Sequence, residues 1–295
     1  MDLYGRNLLS IDDLTPAELS GLIDLTRVLK LNKKRGNYKK RLTNKNIVLI
    51  RETNTEWSTL PFAAACGEEG AYVETLTAEG IPSDTDELAF YAARVLGRLF
   101  DLIGISGDMP GLTAILAPNV NKPLINYMNG AEQPIQVLAD LFTIYEHFGS
   151  IQKLNLCVIG GKTDGLVKGA AAAGMNVAAV AGAYGLPGSA ADDVNMRNAG
   201  CVRVTADIEG ALTGAHAVYM DAARKTVENG FPYNYIADFI QYTKRDDTIV
   251  LNGLPSENAG MYAADAFTNN KSHILEQIEN RVYAIKAVVT AAVNK

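Results

Sequence analysis

Strand-like runs alternate with helical ones along nearly the whole chain, and this leaves one broad solution open, parallel sheets flanked by helices. A first series places strands at about 46–50, 71–76, 101–105 and 123–126, with the clearest helix at 84–98. After Gln133-Pro134 an apolar-striped helix runs to His147, and Gly149 ends it. A second series follows, with strands at about 154–159, 176–181, 201–205, 217–220 and 248–251. From Ser272 onward, Ile274, Leu275, Ile278, Val282, Ile285, Val288 and Val289 recur at helical spacing. The expectation is two doubly wound parallel-sheet α/β domains, 1–133 with the C-terminal helix 272–295, and 134–271, joined by a linker helix at 134–148.

The stretch 47–62 says most about chemistry. A buried strand, Ile47-Val48-Leu49-Ile50, enters a polar loop that opens a helix. In an α/β protein that is an anion site, because free helix N–H groups and the dipole point at the ligand. Yet the loop carries Glu56 and Trp57, with no Lys or Arg between Thr53 and Phe62. The architecture suggests phosphate and the side chains argue against it. Trp57 either stacks on a flat ligand or plugs the vacated site.

Other features bound the function. A net charge of −6 gives no reason to expect nucleic acid or an anionic membrane as partner. Three cysteines, Cys66, Cys157 and Cys201, in apolar settings read as reduced core thiols, hence a cytoplasmic protein. The N-terminus lacks a signal h-region, and no apolar run reaches the ~18 residues a membrane span needs. Thr15, Pro16 and Glu18 form a helix start with a capping box. The basic run from Lys33 to Arg41 reads as a solvated helix end and loop.

Three further segments are weighed. Val158-Ile159-Gly160-Gly161-Lys162-Thr163 is a strand entering a glycine turn, without the spacing of a dinucleotide or P-loop site, so a plain βα turn is favoured. His147, His216 and His273 lack a nucleophile nearby in sequence and read as structural. The loop 250–255 follows a strand and holds Leu254-Pro255; it either presents backbone carbonyls to a ligand or is an ordinary loop closed by proline. No metal-ligand cluster is legible.

Taken together, these segments resemble the aspartate/ornithine carbamoyltransferase family, the ornithine branch most closely. The resemblance is carried by 8–25, by Ala93-Arg94-Val95-Leu96-Gly97-Arg98-Leu99-Phe100-Asp101, by Gln133-Pro134-Ile135-Gln136 through Gly149, and by Glu279-Asn280-Arg281-Val282-Tyr283-Ala284-Ile285-Lys286. It implies an N-terminal carbamoyl-phosphate domain, a C-terminal amino-acid domain, a homotrimer, active sites between domains completed by a neighbour's loop, and no cofactor or metal. It also implies attack of an acceptor amine on the carbamoyl carbon, with phosphate leaving.

Residue by residue, the active-site pattern departs from the family. Its Ser-Thr-Arg-Thr-Arg loop falls on Thr55, Glu56, Trp57, Ser58 and Thr59, so both arginines are gone. The arginine expected at the end of the third strand is Ser106, and the His of His-Pro-x-Gln is Gln133, while Pro134 and Gln136 remain. The neighbour's loop contains Asp84 and Asp86. The His-Cys-Leu-Pro loop is Asn252-Gly253-Leu254-Pro255, and of Asp-x-x-x-Ser-Met-Gly only Asp221 persists, with Lys225 where Ser stood. Arg281 survives. Each charge-assisted hydrogen bond from Arg contributes about 1.5–3 kcal/mol, so loss of these arginines removes several kcal/mol of grip on a near-dianionic donor. Arg51 or Lys162 would have to move in to compensate.

Two functions follow as expectations. One is carbamoyl-type transfer to the amine of an amino-acid-like acceptor with altered substrate. In it Gln133, Gln136 and Arg281 act on the reacting carbonyl, Asp221 and the Leu254 carbonyl hold the amine, and ordinary citrulline synthesis is not expected. The other is a catalytically inactive paralogue that binds a small-molecule amine in a pocket flanked by Glu56, Asp84, Asp86 and Asp221. A dinucleotide-dependent oxidoreductase is disfavoured by the glycine pattern.

Overall fold

Local chemistry sets the first long element. Thr15 caps α1 (Pro16–Lys34): its hydroxyl accepts from the Glu18 N–H, and the Glu18 carboxylate accepts from the Thr15 N–H. Two donors that a helix start leaves open are thereby satisfied, and Pro16 stands where its missing N–H costs nothing. Leu19, Leu22, Ile23, Thr26, Leu29 and Lys30 form the buried face.

The computed structural model describes residues 3–53, 56–83, 85–128, 130, 132–160, 163–180, 195, 201–220, 236–252 and 268–295, and only the backbone of 56, 57 and 236–238. The chain forms two units: Met1–Ala139 with Asn280–Lys295, and Asp140–Glu279. Both boundaries fall inside helices, α5 (Pro134–Phe148) and α9 (Ile274–Val293).

Unit 1 holds a four-stranded sheet of order β2-β1-β3-β4, formed by β1 (Asn46–Arg51), β2 (Tyr72–Thr77), β3 (Leu102–Ser106) and β4 (Leu124–Met128). Every pairing is parallel. Ile47, Val48, Leu49, Ile50, Leu102, Ile103 and Ile105 are buried, as a parallel sheet covered on both faces requires. The helices are α2 (Glu56–Glu68), α3 (Asp86–Leu99) and α4 (Pro110–Asn119). Gly97 of α3 lies so close to the end of α4 that a Cβ there would sit 1.9 Å from the Val120 carbonyl oxygen.

Among the described residues, unit 2 holds five parallel strands in the order β7-β6-β5-β8-β9. They are β5 (Asn155–Ile159), β6 (Asn176–Val180), β7 (Val202–Thr205), β8 (Ala217–Met220) and β9 (Ile249–Asn252), with α6 (Asp164–Ala172), α7 (Ile208–Leu212) and α8 (Ile236–Thr243). Cys157, Leu212, Val218, Phe239, Val250 and Ile274 build its core. The two parallel-sheet α/β layers, the linker helix and the C-terminal helix stand as the sequence predicts.

Four local expectations are corrected. Helix α3 begins at Asp86, two residues after the expected start, behind an N-cap at Thr85 whose side chain accepts from the Leu88 N–H. Helix α2 begins at Glu56, which puts Ser58 and Thr59 inside its first turn. Leu275, expected on the apolar stripe of the last helix, is 58% exposed, while Gln277, Asn280, Arg281 and Lys286 are buried there. Hydrogen-bonded polar side chains have taken that face. Cys201 is half-buried, unlike Cys66 and Cys157.

Candidate functional site

Open parallel sheets bind ligands at the carboxyl ends of their strands. In unit 1 this edge is tied by backbone bonds: the Glu52 N–H donates to the Ser106 carbonyl (3.1 Å) and the Gly107 N–H to the Met128 carbonyl (2.9 Å). The β3–β4 register shifts between Ile105 and Ser106, which pairs Ser106 with Met128. Gly107 has φ +121°, and the Glu52 side chain fills the space a Cβ would need, its Cγ 2.6 Å away. A carboxylate therefore lies across the end of β3 beside buried Ser106. Arg51 Nη1 donates to the Glu52 carbonyl at 3.1 Å. Thr53 donates its hydroxyl to Glu79 (2.7 Å), the main cause holding that carboxyl below its ordinary pKa.

The start of α2 is anchored from below. The Tyr127 hydroxyl donates to the Ser58 carbonyl at 2.7 Å, and the Tyr127 ring meets Phe62 edge-on at 5.3 Å. Ser58 and Thr59 are buried. Thr55 and the side chains of Glu56 and Trp57 lie outside the described residues, as do Asp84, Gly161, Lys162, Asp221, Lys225, Gly253 and Leu254.

At the head of α5, Gln133 adopts φ +36°, a costly conformation for a residue with a Cβ. Its Nε2 donates to the Gly130 carbonyl at 2.9 Å, and its own carbonyl accepts from the Val137 N–H. Gln136, in the first turn of α5, is buried. Arg281 is fully buried, with Nη1 3.6 Å from the Met128 sulfur. Through Met128 the structure brings together Ser106 and Arg281 at one sheet edge. Asp86 stands exposed on α3.

In unit 2, buried Asn252 ends β9 and donates its N–H to Gln277 Oε1 at 2.8 Å, and Gln277 Nε2 donates to the Asp140 carboxylate. Sequence reasoning missed Glu52, Asp140 and Gln277. A signal existed for Gln277: it is a polar residue on the turn that places Ile274, Ile278 and Arg281 inward. After β5, Gly160 adopts φ +122° and its carbonyl accepts from the Thr163 hydroxyl ahead of α6.

All three histidines gather around Phe148 in unit 2. The His147 ring lies 4.7 Å from that of His273 and 4.6 Å from that of Phe148, and the Phe148 ring lies 5.7 Å from that of His216. His216 Nδ1 accepts from the Asn155 N–H at 3.0 Å, which fixes its neutral tautomer. Burial, then the nearby Arg245, lowers its pKa; burial, then His147, lowers that of His273. Burial pushes the Cys157 thiol up to about 12. Among the described residues, no group of three or more His, Cys, Asp or Glu could hold a metal ion, and no helix is long and apolar enough to cross a membrane.

Comparison with known proteins covers nearly the full length. Residues 6–146 match the aspartate/ornithine carbamoyltransferase carbamoyl-P binding domain and residues 152–292 the Asp/Orn binding domain. Ornithine carbamoyltransferase of Caldanaerobacter subterraneus subsp. tengcongensis is 31% identical, covering 98% of each chain. The catabolic ornithine carbamoyltransferase of Staphylococcus aureus is 32% identical, covering 98% of this chain and 96% of that protein. Among solved structures, the ornithine carbamoyltransferase of Pyrococcus furiosus superposes with a TM-score of 0.88 at 23% identity, covering 99% of this chain and 98% of that one. That of Gloeobacter violaceus gives 0.83 at 28% identity, covering 99% of each. The chain belongs to the aspartate/ornithine carbamoyltransferase family.

Proposed function

We propose that this protein transfers a carbamoyl-type group to the amine of an amino-acid-like acceptor, with a donor site altered from that of its relatives. The observation that carries this reading is the buried Arg281 at the end of β4, beside a β3 that ends in Ser106 and is crossed by the Glu52 carboxylate. One guanidinium at that edge suits a carbonyl oxygen, whereas a phosphate dianion needs several donors and meets a carboxylate. In the proposed step the acceptor nitrogen bonds to the carbamoyl carbon, the bond from that carbon to the leaving oxygen breaks, and the amine releases a proton. Gln136 and Arg281 hold the acyl oxygen. Gln133 adds its second amide hydrogen, the first being spent on Gly130. Asp221 and the Leu254 carbonyl orient the amine, with Asn252, Gly253 and Lys225 around them. Thr55 and the first turn of α2, with Glu56, Trp57, Ser58 and Thr59, form the altered donor segment.

Exposed Leu60, Leu88, Phe90 and Tyr91 on α2 and α3 of unit 1 support a homotrimer in which a second copy covers them and contributes Asp84 and Asp86. Free thiols at Cys66, Cys157 and Cys201 support a cytoplasmic setting. The reading involves no cofactor, metal, nucleic acid or membrane.

Purified protein given carbamoyl phosphate and ornithine is expected to form no citrulline above background, and robust turnover would refute the altered donor site. A thermal-shift panel of phosphate, carbamoyl phosphate, amino acids and polyamines separates the readings. Ligand at 100 times its Kd stabilises by about 2.7 kcal/mol. Glu52 favours a second reading, a catalytically inactive paralogue that binds an amine. Stabilisation by amines alone, with no carbamoylated product from any donor, would select it.

A further inference from the structure

We infer that Gln277 is a positioning residue for the acceptor side of the site, and that it holds Asn252 ready to take an N–H-bearing group of the ligand. The inference rests on the carbamoyl-transfer reading above. Asn252 is the last residue of β9, at the carboxyl edge of the unit 2 sheet. Its backbone N–H donates to Gln277 Oε1 at 2.8 Å, and the same amide's Nε2 donates to the Asp140 carboxylate. Asn252, Gln277 and Asp140 are each at most 1% exposed.

The two bonds have opposite polarity at the Gln277 amide. One end must accept and the other must donate, so a single orientation satisfies both. The strand end is thus fixed by a buried side chain from α9. The Asn252 side-chain Oδ1 is also buried, and among the described residues it has no hydrogen-bond partner. A buried amide oxygen calls for a donor. At the edge where open sheets take their ligands, that donor is an N–H of the bound molecule, and a neutral oxygen selects an ammonium or amide group without adding charge. The ligand class is an amino-acid-like amine.

The test uses the full chain with L-ornithine, the amine named in the activity of the relatives, as probe. Gln277→Met keeps the length of the side chain and removes both bonds. Gln277→Glu combined with Asp140→Asn restores them, because the new carboxylate accepts from the Asn252 N–H and from the new amide at position 140. In Gln277→Met, hydrogen exchange is expected to speed up at the Asn252 amide while the amides of β5 and β8 keep their protection. Ornithine affinity is expected to fall about tenfold, the scale of one lost hydrogen bond. The double variant is expected to recover both, and Asn252→Ala to lose affinity without the change in exchange elsewhere in the sheet.

Exchange rising evenly through β5, β8 and β9 would reduce Gln277 to general packing and overturn the inference. Unchanged exchange at Asn252, or unchanged ornithine affinity in Gln277→Met, would do the same. Wild-type protein that shows the local exchange effect but gives no thermal shift with ornithine would overturn the amine-binding half and count against the transfer reading itself.

Discussion

The two units solve the same problem, polar groups inside a parallel-sheet fold, with different chemistry. Unit 1 uses full charges. The Lys286 ammonium, with a side chain 5% exposed, pairs with Glu68 at 2.6 Å and Glu69 at 3.5 Å. Lys33 and Arg41 close the cluster from outside, and Lys30 donates to Asn280 at 2.6 Å. Unit 2 relies largely on amides and neutral imidazoles: Asn155 with the Gly214 carbonyl and His216, Asn176 with Asn155, and Gln277 between Asn252 and Asp140. A charge cluster is strong only while every member is present, because a stranded buried ion is expensive. Amide networks lose one neutral bond at a time. The difference teaches that the same layer architecture can fail in two distinct ways.

The largest expected effect lies in unit 1. Lys286→Met strands Glu69, whose side chain is 7% exposed, and is expected to cost about 3 kcal/mol in urea unfolding. Arg41 still reaches Glu69 at 3.1 Å, which keeps the loss from being greater. A loss under about 1 kcal/mol would place this cluster with surface ion pairs and erase the contrast. Next comes His216→Ala in unit 2. It leaves the Asn155 N–H without its imidazole acceptor and is expected to cost about 1–2 kcal/mol.

Acidification sharpens the comparison. His216 and His273 have folded pKa values below the ordinary 6.5, so the unfolded chain binds more protons. Their stabilisation is full above that value and is lost as pH falls below it toward the folded pKa. Burial raises the Glu68 carboxyl, but hydrogen bonds from Lys286 and then Lys33 outweigh it and leave the pKa below 4.5. That contribution survives until pH falls through the carboxylate range. Hydrogen exchange followed by mass spectrometry should therefore show unit 2 opening first, as pH falls below about 6.5, and unit 1 at lower pH. The opposite order would break the comparison. The smallest effect is expected from Lys33→Gln, below about 1 kcal/mol in urea unfolding, since its partner Glu68 is 41% exposed and keeps Lys286.

Legibility followed the same division. The strand and helix series could be read because apolar periodicity is set by local geometry, and β1, β3, β5 and α1 stand where the spacing puts them. The absence of Lys and Arg between Thr53 and Phe62 was also legible, since it needs only residue types. Glu52 was not singled out, because its position across Gly107 depends on two strand ends meeting at one edge. Gln277 and Asp140 were hidden because they are 137 positions apart and neither residue signals the other. Leu275 misled, since a stripe rule counts apolar residues and does not foresee that buried amides will take the inner face.

By itself, the sequence determined two parallel-sheet layers, a linker helix, a stretch between Thr53 and Phe62 without Lys or Arg and, through the resemblance of its motifs, the family to which the chain belongs. The layers and the helix reside in periods of two and about 3.6 residues, which act between neighbours in the chain. Only the tertiary structure decided that Arg281 meets Met128, that Glu52 crosses Gly107, and that one buried glutamine fixes the end of β9. These are hydrogen bonds and close approaches between distant segments, and a directional contact exists only once packing has brought donor and acceptor to within about 3 Å.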